Sequence, residues 1–186
     1  MLIWRRRRMQ PDAPLQQALV TTVIDVPLSA AWARLEDFSA AHYYVPRLTA
    51  TEIVSAQSSG LGAHRRVYSG KTYLEETIIE WNEGSGFVIR LHKGSKPMPP
   101  FRDARFVYAL SEEGPEQTRV NLALQFLMPL GGVGRWLGAN LIKSPMEKQL
   151  VQVAAGMKHY YETGELATDA DRKRLAGTVS TAPADD

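Results

Sequence analysis

The feature of this sequence that most constrains its fold is a run of six strand patterns, between residues 49 and 126, with no helix pattern among them. Apolar and polar residues alternate within the segments, and short turns such as Asn82-Glu83-Gly84 separate them. Strands joined by short turns pair antiparallel, because a parallel pair needs a crossover of about a dozen residues. The run therefore predicts an antiparallel meander, with strands at residues 49–56, 63–69, 73–81, 87–92, 104–110 and 122–126.

A further strand and two short helices precede this run. Residues 19–26 are rich in β-branched side chains, which is typical of a strand, and Pro27 ends it because proline cannot donate to a β-ladder. Ser29 is a suitable N-cap for a helix over residues 29–38, and a second short helix or turn holds residues 42–44. The predicted sheet thus has seven strands.

The segment after the strand run is helical: residues 131–142 have a weak helix pattern, and one long helix follows them. Ser144 and Glu147 have the spacing of a capping box, with Pro145 at the first helical position, so we expect the helix to begin there. Gly164 is expected to end it. Between these ends, apolar residues recur every three or four positions and form one stripe: Leu150, Val153, Ala154, Met157, Tyr160 and Tyr161.

These elements predict an α+β protein in which a curved seven-stranded antiparallel sheet surrounds a long C-terminal helix, with two short helices after the first strand. A sheet of this length cannot stay flat, because right-handed twist curls it. One helix stripe covers only part of the concave face. We therefore expect the space between sheet and helix to be a ligand site.

Length and composition indicate one domain with two extensions. A chain of 186 residues can bury one sizeable core. Residues 1–17 have the composition of a flexible basic arm that contains Arg5 to Arg8, and residues 165–186 that of a disordered tail. The folded domain is predicted at residues 18–164.

Charge and cysteine content exclude several classes of function. The net charge is +2, and its excess lies in the arm, so the body is nearly neutral and we expect no nucleic-acid partner. The chain has no cysteine, which excludes disulfides and thiolate metal sites. The arginines are not followed by the apolar stretch of a secretory signal. We expect a cytoplasmic protein.

The basic arm has two interpretations. Leu2-Ile3-Trp4 precedes the four arginines, and such a segment is attracted to the surface of an anionic membrane, so weak membrane contact through the arm is one expectation. The alternative is a solubilising terminus without a partner.

Strand alternation identifies a candidate apolar wall for the cavity. Phe106 and Tyr108 are expected to face inward because Arg105 takes the other face. Leu122 and Leu124 face inward because polar residues occupy the alternate positions. The predicted ligand-binding wall consists of Val67, Phe106, Tyr108, Leu122, Leu124 and Met157.

The polar candidates are few. Glu75 and Glu76 are adjacent on a strand and point to opposite faces, so one should enter the cavity as an acid or ligand anchor. Alternation alone also permits Glu75 and its alternates Tyr73, Thr77 and Ile79 inside, and the other interpretation of the glutamate is an arginine-paired surface residue. His64 and His92 are expected at the rim. No histidine has metal-ligand spacing, so no metal or cofactor is expected.

Several short motifs, in this order and spacing, resemble the START-like (SRPBCC, helix-grip or Bet v 1-type) superfamily and, within it, the polyketide cyclase/dehydrase and lipid-transport group. The similarity covers about residues 18–164. It implies a helix-grip fold and an inward-pointing Glu76. The motifs are Asp25-Val26-Pro27 with Trp32, Gly60-Leu61-Gly62 before Arg65-Arg66-Val67, Glu76-Thr77-Ile78, Pro99-Pro100-Phe101-Arg102, Thr118-Arg119-Val120 and Pro129-Leu130-Gly131.

The sequence leaves three kinds of function open. The first is binding or carriage of a hydrophobic, lipid- or polyketide-like small molecule. The second is a polyketide cyclase- or dehydratase-type enzyme, which needs at least two converging polar groups; Glu76 and a tyrosine are the pair that the sequence offers. The third is a module that binds a partner in the same groove. The helix-grip fold hosts all three.

Overall fold

The computed structural model describes residues 15–181. Most of the predicted arm lies outside this range, and Gln16 and Gln17 already belong to the first strand. The strands, in chain order, are β1 (Gln16–Ile24), β2 (Ala50–Ile53), β3 (His64–Ser69), β4 (Thr72–Asn82), β5 (Gly86–Lys93), β6 (Lys96–Pro97), β7 (Asp103–Gly114) and β8 (Gln117–Leu127).

Two short helices follow β1, and the remaining helices follow β8. In chain order, the helices are α1 (Leu28–Leu35), α2 (Ala41–Tyr44), α3 (Gly131–Leu137), a π-helical turn (Gly138–Ile142), α4 (Lys143–Thr163), α5 (Asp169–Leu175) and a short 3-10 helix (Ala176–Thr178). The architecture is the predicted helix-grip: an antiparallel sheet with a long C-terminal helix.

The sheet has the order β1-β8-β7-β5-β4-β3-β2, and the two-residue β6 pairs with β5 beside this path. All pairs are antiparallel within residues 15–181, as short turns require. A β-bulge between Ile78 and Glu80 adds to the twist of β4. The seven strands of the main path match the prediction, and β6 is an addition within the predicted loop at residues 94–100.

Helix α4 packs chiefly on β1 and to a lesser extent on β8, at one side of the sheet. The predicted stripe is confirmed for Leu150, Val153, Ala154, Met157 and Tyr161, which are all buried, whereas Tyr160 is only partly buried. Gly164 ends the helix in the left-handed conformation, with φ of 78°. Because α4 lies on the β1 side, it does not pack directly on the inner face of β3, β4 and β5.

The predicted N-caps of α1 and α4 are wrong, although both helices begin within two residues of the predicted starts. Helical structure begins at Gly131 and continues through the π turn, so Ser144 and Pro145 lie inside the helix and no described side chain caps α4. The π turn directly precedes Pro145, whose missing N–H interrupts the α-helical hydrogen bonds. Helix α1 likewise begins before Ser29, with Pro27 at its N-cap.

The prediction of a disordered tail from residue 165 is wrong for the residues that the structure describes. Helix α5 begins with a capping box, in which Thr168 and Asp171 each bind the other's backbone N–H. Leu175 of α5 is buried, and the helix packs on α4. Ser180 then pairs with Thr21 of β1 through two backbone hydrogen bonds of 2.8 Å. This helix was not recognised in the sequence, because its composition is mostly charged although one of its sides is buried.

Candidate functional site

A cavity of about 350 Å³ lies on the open half of the sheet, away from the contact between α4 and β1. Strands β3, β4, β5 and β7 form its floor, and residues of α2 and α4 close it from above. Most of its lining is aliphatic or aromatic: Ala41, Val45, Leu48, Val67, Tyr73, Leu74, Ile89, Leu91, Met98, Phe106, Tyr108 and Val153; the polar remainder is Arg65, Ser69, Thr72 and Glu76.

The cavity has an open rim and a closed inner end. Ser69 and Thr72, at the β3–β4 hairpin, are exposed and mark the rim. Arg65, Glu76 and Tyr108 are buried and mark the inner end. A ligand would therefore enter past the hairpin and meet the polar groups last.

An ion pair between Arg65 and Glu76 occupies the inner end. The two residues are partners in the β3–β4 register, and the Arg65 Nε donates to Glu76 Oε2 at 2.6 Å. Arg65 Nη1 donates to the carbonyl oxygen of Phe38 at 2.6 Å, and the guanidinium lies 3.9 Å from the centre of the Phe38 ring. Burial is the largest single influence on the pKa of Arg65 and lowers it. The charge and hydrogen bond of Glu76, together with Tyr44 and Tyr108, outweigh burial and raise that pKa.

A tyrosine hydroxyl lies beside this pair. The hydroxyl oxygens of Tyr44 and Tyr108 lie 3.4 Å apart, and when Tyr44 donates to Tyr108, the hydrogen of Tyr108 is available to another acceptor. Burial raises the pKa of Tyr108 well above its ordinary value, and the nearby Tyr44 raises it further. Tyr108 therefore stays protonated and can serve as a hydrogen-bond donor at the inner end of the cavity.

The predicted site residues divide into two groups. Val67, Glu76, Phe106 and Tyr108 line the cavity. The other three, Leu122, Leu124 and Met157, are buried but are not among the lining residues in the described part of the chain. They face inward as alternation requires, but α4 packs directly on β1 and β8, and this contact fills the interior at their positions.

Sequence reasoning missed Arg65, the cation of the site. The signal was available, because Arg65 and Val67 are two residues apart on one strand and so share a face. Placing Val67 inside therefore also places Arg65 inside. What the sequence did not reveal is the pairing of Arg65 with Glu76, which depends on the register between β3 and β4.

His64 and His92 lie on the outer face of the sheet, with Glu75. His92 is buried there, contrary to the predicted rim position, and its two ring nitrogens lie 2.8 Å from Gly94 O and Thr77 Oγ1. Glu75 accepts from the Gly94 N–H, which lowers its pKa, and it lies 3.9 Å from His64. Within residues 15–181 no three acidic or histidine side chains are grouped as a metal site. This cluster secures the turn after β5.

Comparisons with solved structures agree with this fold. A Thermobifida fusca protein has a TM-score of 0.62 and 19% identity, covering 78% of this chain and 92% of that one. A START superfamily protein from Mycobacterium smegmatis has a TM-score of 0.60 and 13% identity, covering 80% and 97%. The protein Ara h 8.0201 has a TM-score of 0.60 and 13% identity, covering 79% and 97%. At these identities the likeness shows the fold alone.

Two sequence comparisons address the family of the chain. No curated protein sequence matches the chain at a significant level. A family model described as polyketide cyclase/dehydrase and lipid transport matches residues 16–162. That range contains every strand, the whole cavity lining and nearly all of α4. The chain therefore belongs to the polyketide cyclase/dehydrase and lipid transport family, with a START-like helix-grip fold.

Proposed function

We propose that the protein binds or carries a hydrophobic small molecule, lipid- or polyketide-like, in the cavity between the sheet and α4. The observation that carries this proposal is the cavity itself, which has apolar walls and one polar cluster at its closed end. Ligand sites in proteins commonly have this composition, with a few polar groups that fix orientation. A volume of about 350 Å³ suits one small ligand.

The charges at the inner end favour an uncharged ligand. Arg65 and Glu76 neutralise each other, so an anionic or cationic head group would find no unpaired counter-ion there. Tyr108 offers an O–H donor beside them. A carbonyl or hydroxyl oxygen at one end of an apolar molecule would satisfy this donor, with the apolar body extending towards the rim.

One observation favours an enzyme as the second candidate. Arg65, Glu76 and Tyr108 converge at the inner end, which supplies the polar groups that a cyclase or dehydratase needs. In such a reaction Tyr108 would polarise a carbonyl oxygen and Glu76 would accept a proton. A carrier returns its ligand unchanged, so mass spectrometry of the ligand before and after incubation distinguishes the two functions.

The binding proposal is tested by filling the cavity. Val153 of α4 lines the cavity and is buried, so Val153→Trp should occupy the space of the ligand. We expect native mass spectrometry to show a bound small molecule on the wild-type protein purified from its own host, and to show none on this variant. Titration with the uncharged fluorophore N-phenyl-1-naphthylamine should give the same difference.

The control adds the same side chain outside the cavity. Leu166 is exposed beyond the end of α4, so Leu166→Trp should leave probe binding at the wild-type level. The proposal fails if Val153→Trp remains folded by circular dichroism and still binds the probe as the wild type does.

A further inference from the structure

The start of the C-terminal helical segment presents apolar side chains to solvent. Leu130, Val133, Trp136 and Leu141 are 76%, 63%, 61% and 58% exposed. We call these four residues the α3 face. Single exposed apolar residues are common on protein surfaces, but a contiguous group of large ones marks an interaction site.

Glycines form the buried side of α3 and of the π turn: Gly134 lies against the turn that enters α3, and Gly138 lies against β1. A Cβ at Gly134 would lie 1.7 Å from the carbonyl oxygen of Pro129, and one at Gly138 would lie 2.1 Å from Gln16 Oε1. The Gln16 side chain also donates to the carbonyl oxygen of Arg135 at 2.7 Å. These contacts hold the glycine side against Gln16 of β1 and leave the α3 face towards solvent.

Backbone geometry gives no reason for an apolar residue at the entrance to α3. Leu130 has a φ of 71°, in the left-handed region that favours glycine. A leucine that is both exposed and held in this conformation serves neither the core nor the turn. Its presence is explained if its side chain contacts something outside the described chain.

The sequence on both sides of the α3 face is basic. Residues 128–149 contain Arg135, Lys143 and Lys148 but only one acidic residue, Glu147, which pairs with Lys143 at 3.8 Å. The sequence before residue 15 carries four more arginines and one aspartate.

We propose that the α3 face docks on an anionic lipid surface. A lipid bilayer supplies both an apolar layer for the tryptophan, valine and leucines and negative charge for the surrounding basic residues. A second copy of the chain, or its own arginine-rich start, would instead bring positive charge next to Arg135 and Lys148. Within residues 15–181 no helix is long and apolar enough to cross a membrane, so the contact is peripheral.

Docking in this way would bring the cavity towards the lipid. The end of β8 pairs with the start of β7. The β3–β4 hairpin at the cavity rim lies at this same end of the strands. The α3 face and the rim therefore lie at the same end of the sheet. The docking does not depend on a ligand in the cavity, and its test below does not either.

The test is co-sedimentation of the full chain with vesicles. Phosphatidylcholine vesicles containing about one-fifth phosphatidylserine should bind the protein, and phosphatidylcholine alone should bind it weakly. The variant Val133→Ser/Trp136→Ser removes two exposed side chains, so the fold should persist. We expect it to weaken vesicle binding by about tenfold or more.

A matched control accompanies this test, and three outcomes would overturn the proposal. Leu61→Ser/Leu166→Ser removes two equally exposed apolar residues elsewhere, and should bind vesicles as the wild type does. The proposal is overturned if the wild type ignores anionic vesicles, or if the α3 variant binds them unchanged. It is also overturned if the α3 variant turns a dimer into a monomer by light scattering while the wild type shows no vesicle binding.

Discussion

At the scale of single residues, Arg65 and Glu76 set the charge balance of the cavity, because each is the other's counter-ion. Both are buried, and Arg65 is only 2% exposed. An arginine cannot shed its proton inside a protein. Any substitution that removes the glutamate therefore leaves a buried positive charge without its partner, whatever the role of the glutamate towards a ligand.

We predict that Glu76→Gln lowers the free energy of unfolding by about 3–5 kcal/mol, the cost of breaking a buried ion pair from one side. Urea unfolding followed by tryptophan fluorescence measures it. The double variant Arg65→Met/Glu76→Leu removes both charges and should recover most of the loss. Equal instability of the single and double variants would show that packing, and not charge, dominates at the inner end.

At the scale of elements, the closest contact above the cavity is between α4 and α2. A Cβ at Gly156 would lie 2.2 Å from the carbonyl oxygen of Tyr44. Glycine inside a helix costs about 1 kcal/mol relative to alanine, so propensity alone favours alanine at this position. Glycine is nevertheless required at this position, because α2 lies so close to α4 here. Helix α2 carries Tyr44 and the lining residue Ala41.

We predict that Gly156→Ala destabilises the protein by about 1–3 kcal/mol, since the added methyl group overlaps a backbone atom that cannot move freely. Gly132→Ala is the matched control, because no atom lies within 4 Å of the Cβ that it adds. It should leave the midpoint of urea unfolding unchanged or slightly higher. A stabilised Gly156→Ala variant would contradict the close contact between α2 and α4.

At the scale of the whole molecule, residues 165–181 hold the end of α4 against β1. Helix α5 packs on α4, where Asp171 Oδ2 lies 3.7 Å from His159 Nε2 of α4, and Arg172 donates to the carbonyl oxygen of Ala167 in the connection between the two helices. The pairing of Ser180 with Thr21 then attaches the segment to the edge strand β1. This strand and α4 together form the filled half of the interior, so the segment supports the frame around the cavity.

We predict that a chain ending at residue 164 melts roughly 5–10 °C below the full-length protein. The burial of Leu175 and Ala167 contributes about 2–3 kcal/mol to the free energy of unfolding, and its loss lowers the melting temperature by this amount. A chain ending at residue 181 should melt at the full-length temperature. Differential scanning calorimetry compares the three. If the shorter chain melted with the others, the packing of α5 on α4 would contribute nothing to stability.

The sequence by itself determined the class of fold and the inward face of most strands. Short turns between alternating segments permit only antiparallel pairing, and the apolar stripe of α4 is visible in its spacing. Alternation is a local property, so it correctly placed Phe106, Tyr108, Leu122 and Leu124 on the inner face. It did not identify α5, because three of that helix's seven residues are basic and two are acidic.

Only the tertiary structure decided which inward residues border a cavity and which are packed. Leu122 and Phe106 face the same side of the sheet, yet only Phe106 lines the cavity in the described chain, because α4 lies over β1 and β8. The pairing of Arg65 with Glu76 is likewise fixed by strand register. Both depend on the relative positions of elements far apart in sequence, which long-range packing sets and local periodicity cannot encode.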